Sequence, residues 1–110
     1  MFRRYEMFDR TLLDKIVDRI VSRFSPNKII IFGSAANGTA GTDSDVDILI
    51  IMDTELSYHR RSGPIRAAMR GIPVATDMMV LTPREYEKLK DDGSSFASEI
   101  SRTGVTAYEA

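Results

Sequence analysis

The chain contains no cysteine and no apolar run long enough to cross a membrane. The first absence excludes disulfides, zinc–thiolate sites and thiol chemistry, and it suits a reducing compartment. The second argues against a membrane-spanning helix, and no apolar stretch of signal-peptide length follows the basic N-terminal segment. We therefore expect a cytoplasmic protein.

An excess of charge of one sign is also lacking, because 15 basic side chains stand against 16 acidic ones. The resulting net charge of -1 gives no overall attraction to nucleic acid or to anionic membranes, so we expect stable binding to neither. With 110 residues, 43% of them hydrophobic, the sequence predicts one small domain over 1–110. A second lobe that closes over a substrate would have to come from elsewhere.

The N-terminal half gives the clearest secondary-structure patterns. Apolar residues recur at helical spacing over about 9–24 and predict an amphipathic helix. Within 29–52, two β-branched apolar runs predict two strands separated by a loop of small and turn-forming residues. A third strand is expected at about 73–81, so the segments that carry candidate site residues lie on strands or at their ends.

The C-terminal half predicts helices and a further strand. A helix is expected within 55–71, with Gly63-Pro64 either interrupting it or opening its better half. The run 82–85, Thr-Pro-Arg-Glu, has the sequence of a capping box, so a helix should follow it. A last short helix is expected over 95–103, with Phe96, Ala97 and Ile100 facing inward, and "VTAYE" predicts a terminal strand. The order of elements predicts an α/β (α+β) domain, a mixed sheet flanked by helices.

Four arginines make the segment 60–70 locally basic, namely Arg60, Arg61, Arg66 and Arg70. Arg66 and Arg70 are four residues apart and are expected on one helix face. A solvated basic face is the default interpretation of such a cluster. Contact with phosphates or with an acidic partner is the alternative.

Two aspartates, Asp45 and Asp47, stand at the start of the second apolar run. Residues two apart on a strand project to the same face, so their carboxylates would lie side by side and repel each other. A cation between or beside them would relieve that repulsion, and ligation by oxygen alone suits Mg²⁺ or Mn²⁺. The alternative is that both acids lie at an exposed strand mouth and cap the loop through Asx-type hydrogen bonds.

Gly33 ends the first strand, and Ser34 would open a short helix after it. Backbone N–H groups and a hydroxyl at a helix N-terminus can hold phosphate, although Ser34 could equally be a plain N-cap. Asp77 lies inside the apolar third strand. It either completes a nucleotide–metal site as a third carboxylate or keeps an edge strand soluble.

The stretch "GSAANGTAGTDSDVD" consists of Gly-Ser, ten residues and Asp-x-Asp, and it resembles the signature of the nucleotidyltransferase superfamily typified by DNA polymerase beta. The resemblance covers nearly the whole chain. "TDMMVLTPREYEKL" is similar to the segment that bears the third acid, and "FASEISRTGVTAYE" resembles the usual ending of the small stand-alone members. These are the minimal nucleotidyltransferases (MNT proteins), many of which act as antitoxins beside a helical HEPN partner.

The resemblance implies the polymerase-beta-like fold and a role for each matching residue. Gly33 and Ser34 would hold the nucleotide phosphates, and Asp45 and Asp47 would bind two Mg²⁺ ions, with Mn²⁺ as a substitute. Asp77 would share a metal and help to deprotonate the acceptor hydroxyl. The implied reaction transfers AMP from ATP to a hydroxyl of a partner protein, such as a tyrosine of a HEPN toxin.

The sequence departs from the family pattern at two positions. Ala35 and Asn37 stand where family members often carry arginine or lysine, so positive charge near the triphosphate is missing. This leaves open a second interpretation, an antitoxin or nucleotide-binding module that neutralises its partner by stoichiometric binding. A third interpretation is an adenylyltransferase of small molecules. It is disfavoured, because such enzymes normally need an added helical domain and the 110 residues predict a single small one. The acceptor and a homo-oligomeric state stay open.

Overall fold

A computed structural model describes residues 10–33, 46–93 and 95–110. The elements are α1 (Arg10–Phe24), β1 (Lys28–Phe32), β2 (Val46–Ile51), a 3-10 turn (Tyr58–Arg60), α2 (Ser62–Ala68), β3 (Thr76–Leu81), α3 (Pro83–Lys90), α4 (Phe96–Thr103) and β4 (Val105–Glu109). They form a small single domain with a mixed sheet and four helices, as expected. None of the helices in the described ranges is long and apolar enough to cross a membrane.

The sheet has the strand order β3-β2-β1-β4. β1 runs antiparallel to both of its neighbours, whereas β2 and β3 pair in parallel. Because of these directions, the C-terminal end of β1 and the N-terminal ends of β2 and β3 lie at one end of the sheet. The end of β1 and the start of β2 flank the predicted phosphate loop. Both therefore lie at the same end of the sheet as the start of β3, which carries Asp77.

Side chains alternate between the two faces of the sheet, and each face has its own helices. We call the face covered by α1 and α2 the closed face; its buried residues are Ile29, Ile31, Val46, Ile48, Ile50, Met78, Val80 and Ala107, packed against Leu13, Ile16, Val17, Ile20 and Ile65. We call the other the open face; its strand residues are Ile30, Phe32, Asp47, Leu49, Ile51, Asp77, Met79 and Leu81. There α3 and α4 contribute Tyr86, Ala97 and Ile100.

The ends of two helices follow from local chemistry. α1 stops at Phe24 because Ser25 has φ 46°, a left-handed conformation, and Pro26 cannot continue a helix. α3 begins with the predicted capping box: the Thr82 hydroxyl accepts from the Glu85 amide, and the Glu85 carboxylate accepts from the Thr82 amide. These contacts place α3 directly after β3.

One expectation for this part of the chain is confirmed and two need correction. α2 begins at Ser62, so Gly63-Pro64 opens the helix instead of interrupting it, and Pro64 lies in the first turn, where a missing N–H costs nothing. The helix ends at Ala68, and Arg70 therefore lies beyond it rather than on one helix face with Arg66. The third strand begins at Thr76 instead of about residue 73.

Candidate active site

Asp47 and Asp77 lie directly opposite each other on neighbouring strands. Each is the second residue of its strand, and the parallel register of β2 and β3 pairs the two. Neighbouring strands are about 4.8 Å apart, and both side chains project to the open face. Asp47 is half-buried and Asp77 is exposed. The fold thus places two carboxylates from distant parts of the sequence side by side.

Gly33 reaches the same end of the sheet from β1. Its neighbour Phe32 is the register partner of Asp47, and Gly33 itself has φ 71°, which favours glycine. A Cβ added there would overlap the Asp47 carboxylate and lie 3.2 Å from its Cγ. Glycine is therefore required for two reasons: the backbone conformation and the close approach of the Asp47 side chain.

Both aspartates face one cavity of about 280 Å³ at the end of the sheet. It is lined by Phe32, Asp47, Tyr58, Asp77, Met78, Met79 and Phe96. The acidic groups occupy one wall, and aromatic or thioether side chains form most of the remainder. A polar reacting group could enter against the carboxylates while its apolar neighbours contact the other walls.

Ser34 and Asp45 lie outside the described residues, as do Ala35 and Asn37. Within the described ranges, no three acidic or histidine side chains cluster as metal ligands. The donor set that is present nevertheless fits a divalent cation of the Mg²⁺ type, because carboxylate oxygens on adjacent strands are the ligands such ions prefer. The structure brings together Gly33, Asp47 and Asp77 from the predicted site.

Arg61 supports this cavity in a way that the sequence did not indicate. Its side chain is only 9% exposed, in contrast to the expected solvated face. It donates to both carboxylate oxygens of Glu85, at 2.6 and 3.3 Å, and to the carbonyl oxygens of Val80 and Leu56. The hydrogen bonds from Arg61 and from the Thr82 amide keep the pKa of Glu85 below its usual value.

The Arg61–Glu85 pair fixes the segment that carries Tyr58. The Arg61 guanidinium lies 5.8 Å from the centre of the Tyr58 ring, and the Nε donates to the carbonyl of Leu56 two residues before it. Tyr58 in turn lines the cavity that holds the aspartates. Arg61 and Glu85 are 24 residues apart in the sequence. Local charge patterns do not detect a pair at that separation, so the sequence did not predict this contact.

Phe96 is the second residue whose position differs from expectation. Ala97 and Ile100 are buried as predicted, but Phe96 is 54% exposed. It is the first residue of α4, and its ring packs edge-on against Phe32 with 5.6 Å between the centroids. Because Phe32 ends β1 beside Asp47, Phe96 projects over the site instead of into the core. Helical spacing predicted its face but could not show that the sheet ends beneath it.

Comparisons with known proteins show the family and the fold of the chain. The chain matches the model of the nucleotidyltransferase domain family over residues 13–103. A crystal structure from Sulfolobus solfataricus, of a protein whose assignment as a nucleotidyltransferase is itself provisional, superimposes with a TM-score of 0.62 at 24% identity. The match covers 90% of this chain and 78% of that one and shows a shared fold. No curated protein matches the chain. On the family match, the chain belongs to the nucleotidyltransferase domain family.

Proposed function

We propose that this nucleotidyltransferase transfers AMP from ATP to a hydroxyl group on a partner protein. The observation that carries the proposal is the in-register pairing of Asp47 with Asp77, at the end of the sheet where Gly33 ends β1. Family membership supports nucleotidyl transfer in general. The choice of ATP and of a protein acceptor rests on the sequence resemblance described above.

Each site residue has a role in this proposal. Asp45, Asp47 and Asp77 would hold Mg²⁺, which when bound lowers the pKa of the acceptor hydroxyl and stabilises the charge on the leaving pyrophosphate. The close approach of Gly33 to Asp47 supports placing the phosphates at the end of β1, with Ser34 donating its hydroxyl there. Asp77, on the outer strand β3, would share a metal and help to deprotonate the acceptor hydroxyl.

The proposed partner is a helical protein of the HEPN type, in a cytoplasmic toxin–antitoxin pair where this chain is the antitoxin. The MNT resemblance supports this role, and the near-neutral net charge supports a protein partner over nucleic acid. Modification of a partner hydroxyl would then be the neutralising event. Stoichiometric binding without transfer is the competing mechanism, favoured by the missing cations at Ala35 and Asn37.

The deciding experiment measures transfer to a HEPN partner by intact mass spectrometry, with ATP and Mg²⁺. We expect the partner to gain the mass of one or more AMP groups. Asp77→Asn should abolish the gain while leaving partner binding intact. Asp53→Asn is the matched control, because Asp53 is exposed and lies outside the cavity.

Metal dependence is tested separately by calorimetry. Mg²⁺ should tighten ATP binding to the wild type, and the double change Asp45→Asn, Asp47→Asn should remove that effect without unfolding the protein.

The transfer experiment also decides between the two mechanisms. If Asp77→Asn fully neutralises the partner and the wild-type reaction gives no mass gain, the chain is a binding module and not an enzyme.

A further inference from the structure

A cleft of about 540 Å³ lies between α1 and the segment that joins α2 to β3. Polar and charged side chains of α1 line one wall, and Gly71, Ile72 and Pro73 line the other. In the part of the chain that the structure describes, this cleft shares no lining residue with the cavity of the two aspartates. It is therefore a surface separate from the candidate active site.

Basic side chains recur every four residues along the α1 wall, at Lys15, Arg19 and Arg23. Residues four apart share a helix face, and a rise of 1.5 Å per residue places these positions about 6 Å apart along the axis. The acidic residue of the described lining is Asp18. Three cations and one carboxylate give the cleft a formal charge of +2, whereas the whole chain carries -1.

Two of these cations are available to a partner. Lys15 and Arg23 are exposed. The salt bridges between described residues involve other side chains, so neither cation is paired with a carboxylate in that part of the chain. An acidic ligand would therefore displace water from these groups and would not have to break an existing ion pair.

The third cation, Arg19, joins the two walls of the cleft. Its guanidinium donates to the carbonyl oxygens of Ala68, at 3.1 Å, and of Arg70, at 2.7 Å. The Ile72 amide donates to the Met69 carbonyl at 3.1 Å and closes the turn that follows α2. The second wall is thus fixed against α1 before a ligand binds, and a preformed surface loses less conformational entropy on binding.

The second wall adds an apolar strip beside the cations. Ile72 is half-buried against the closed-face core, and Pro73 next to it is exposed. An extended segment with alternating acidic and apolar residues would turn only one of the two kinds toward the cleft. A helix can present carboxylates four residues apart and a neighbouring apolar stripe on the same side. The cleft therefore fits a helix better than a strand.

The lining is less suited to a polynucleotide. Its described residues include no aromatic side chain on which a base could stack, and Asp18 would repel a phosphodiester backbone. The net charge of the chain also gives no long-range attraction to nucleic acid. These features favour the carboxylates of a protein segment over the phosphates of a polynucleotide.

We propose that this cleft is a docking site for an acidic amphipathic helix of a partner protein. Carboxylates of that helix pair with Lys15 and Arg23, and its apolar stripe contacts Ile72 and Pro73. The docking uses no residue of the candidate active site and does not depend on nucleotidyl transfer. Pro73 precedes Asp77 by four residues, so a partner anchored here lies close to the end of the sheet that carries the site.

The test uses a synthetic helical peptide with glutamates spaced four residues apart beside a leucine stripe, and the same peptide with glutamine in place of each glutamate. Amide NMR of the full nitrogen-15-labelled chain reports binding without ATP or metal. We expect the acidic peptide to shift the signals of Lys15, Arg23, Gly71 and Ile72, and the glutamine peptide to bind about tenfold more weakly. Added salt should weaken binding of the acidic peptide, because exposed charges are screened.

A matched pair of double variants tests the position of the contact. Lys15→Gln with Arg23→Gln removes two cations of the cleft, and Lys88→Gln with Arg102→Gln removes two exposed cations on other helices. Arg23 and Arg102 each lie in the last turn of their helix. Loss of two exposed ion pairs should raise the Kd of the acidic peptide about tenfold, and the control should bind as the wild type does.

Three outcomes would overturn the assignment. An equal loss of affinity in both double variants would show that net charge alone drives binding. Absence of shifts in the cleft signals would show that no acidic helix docks there. Stronger shifts of the same signals by single-stranded oligothymidylate than by the acidic peptide would assign the cleft to nucleic acid. Because the samples contain neither ATP nor acceptor, a failure of AMP transfer would leave these results unchanged, and a failure of docking would leave the proposed transfer untouched.

Discussion

Successive side chains of each strand point to the closed and the open face in turn. In β2, Ile48 lies on the closed face and Asp47 on the open face. On the closed face, two helices cover the strands and the central side chains are fully buried. On the open face, α3 and α4 cover only part of the sheet and leave Asp77 exposed at its end. The difference indicates that the closed face chiefly supplies stability, while the open face leaves the candidate active site accessible.

The largest test of this comparison is a matched pair of truncations, Ile48→Ala and Met79→Ala. Ile48 is fully buried, so its truncation leaves a cavity and should lower the free energy of unfolding by about 3–4 kcal/mol. Met79 is half-buried in the wall of the cavity that holds the two aspartates, and its truncation should cost only about 1 kcal/mol. Urea denaturation measures both, and equal losses would contradict the division of roles.

Arg61→Met tests the hydrogen bonds and the salt bridge that Arg61 makes beside the open face. The change leaves the carbonyls of Val80 and Leu56 without their donor and removes the partner of Glu85. We expect the free energy of unfolding to fall by about 2–3 kcal/mol. Arg60→Met is the control, since Arg60 is exposed, and its effect should stay within about 0.5 kcal/mol. Similar losses of stability for both variants would show that the contacts of Arg61 do not stabilise the fold.

Gly33→Ala and Gly71→Ala separate backbone strain from contact with the site. Both glycines have positive φ, 71° and 88°, so each variant should lose about 1–2 kcal/mol of stability. Only at Gly33 does the added Cβ meet the Asp47 carboxylate, whereas at Gly71 it meets nothing within 4 Å. Metal-dependent ATP affinity, measured by calorimetry, should therefore fall in Gly33→Ala alone. An equal fall in Gly71→Ala would assign the effect to stability.

The sequence predicted much of the fold because its signals are local. The apolar patterns of "KIIIF" and "VTAYE", together with the Thr82–Glu85 capping box, need only near neighbours to define a strand or a helix start. The predicted burial of Phe96 and the predicted exposure of Arg61 were wrong, because residues distant in the sequence determine the environment of each. The end of β1 lies beneath Phe96, and Glu85 reaches Arg61 from α3.

The candidate site was predictable to a similar degree. Asp47 and Asp77 could be proposed from carboxylates placed in apolar runs, but only the parallel register of β2 and β3 sets them side by side. No local pattern indicated that Tyr58 would line their cavity, because its segment is held by the distant Arg61–Glu85 pair. The roles of Ser34 and Asp45 stay predictions, since both lie outside the described residues.

The smallest expected effect is a dependence of stability on pH that belongs to the open face. None of the buried residues in the described ranges is polar or charged, whereas the pKa of Glu85 is lowered by Arg61 and then by the Thr82 amide. A lowered folded-state pKa means that the unfolded chain binds this proton first. The contribution is therefore fully present above the ordinary glutamate value of 4.5 and is lost as the pH falls through the lowered folded-state pKa.

The corresponding measurement compares wild type and Glu85→Gln by urea denaturation between neutral and acidic pH. Because the Glu85 side chain is 41% exposed, solvent screens the pair, and the wild-type advantage at neutral pH that depends on ionisation should be no more than about 1 kcal/mol. That advantage should shrink below pH 4.5. Glu87→Gln controls for the lost charge, since Glu87 is 65% exposed and pairs with Lys90 on the surface of α3. If the difference in unfolding free energy between wild type and Glu85→Gln stays constant over this range, the capping-box hydrogen bonds, and not the ionised pair with Arg61, account for the stabilisation by Glu85.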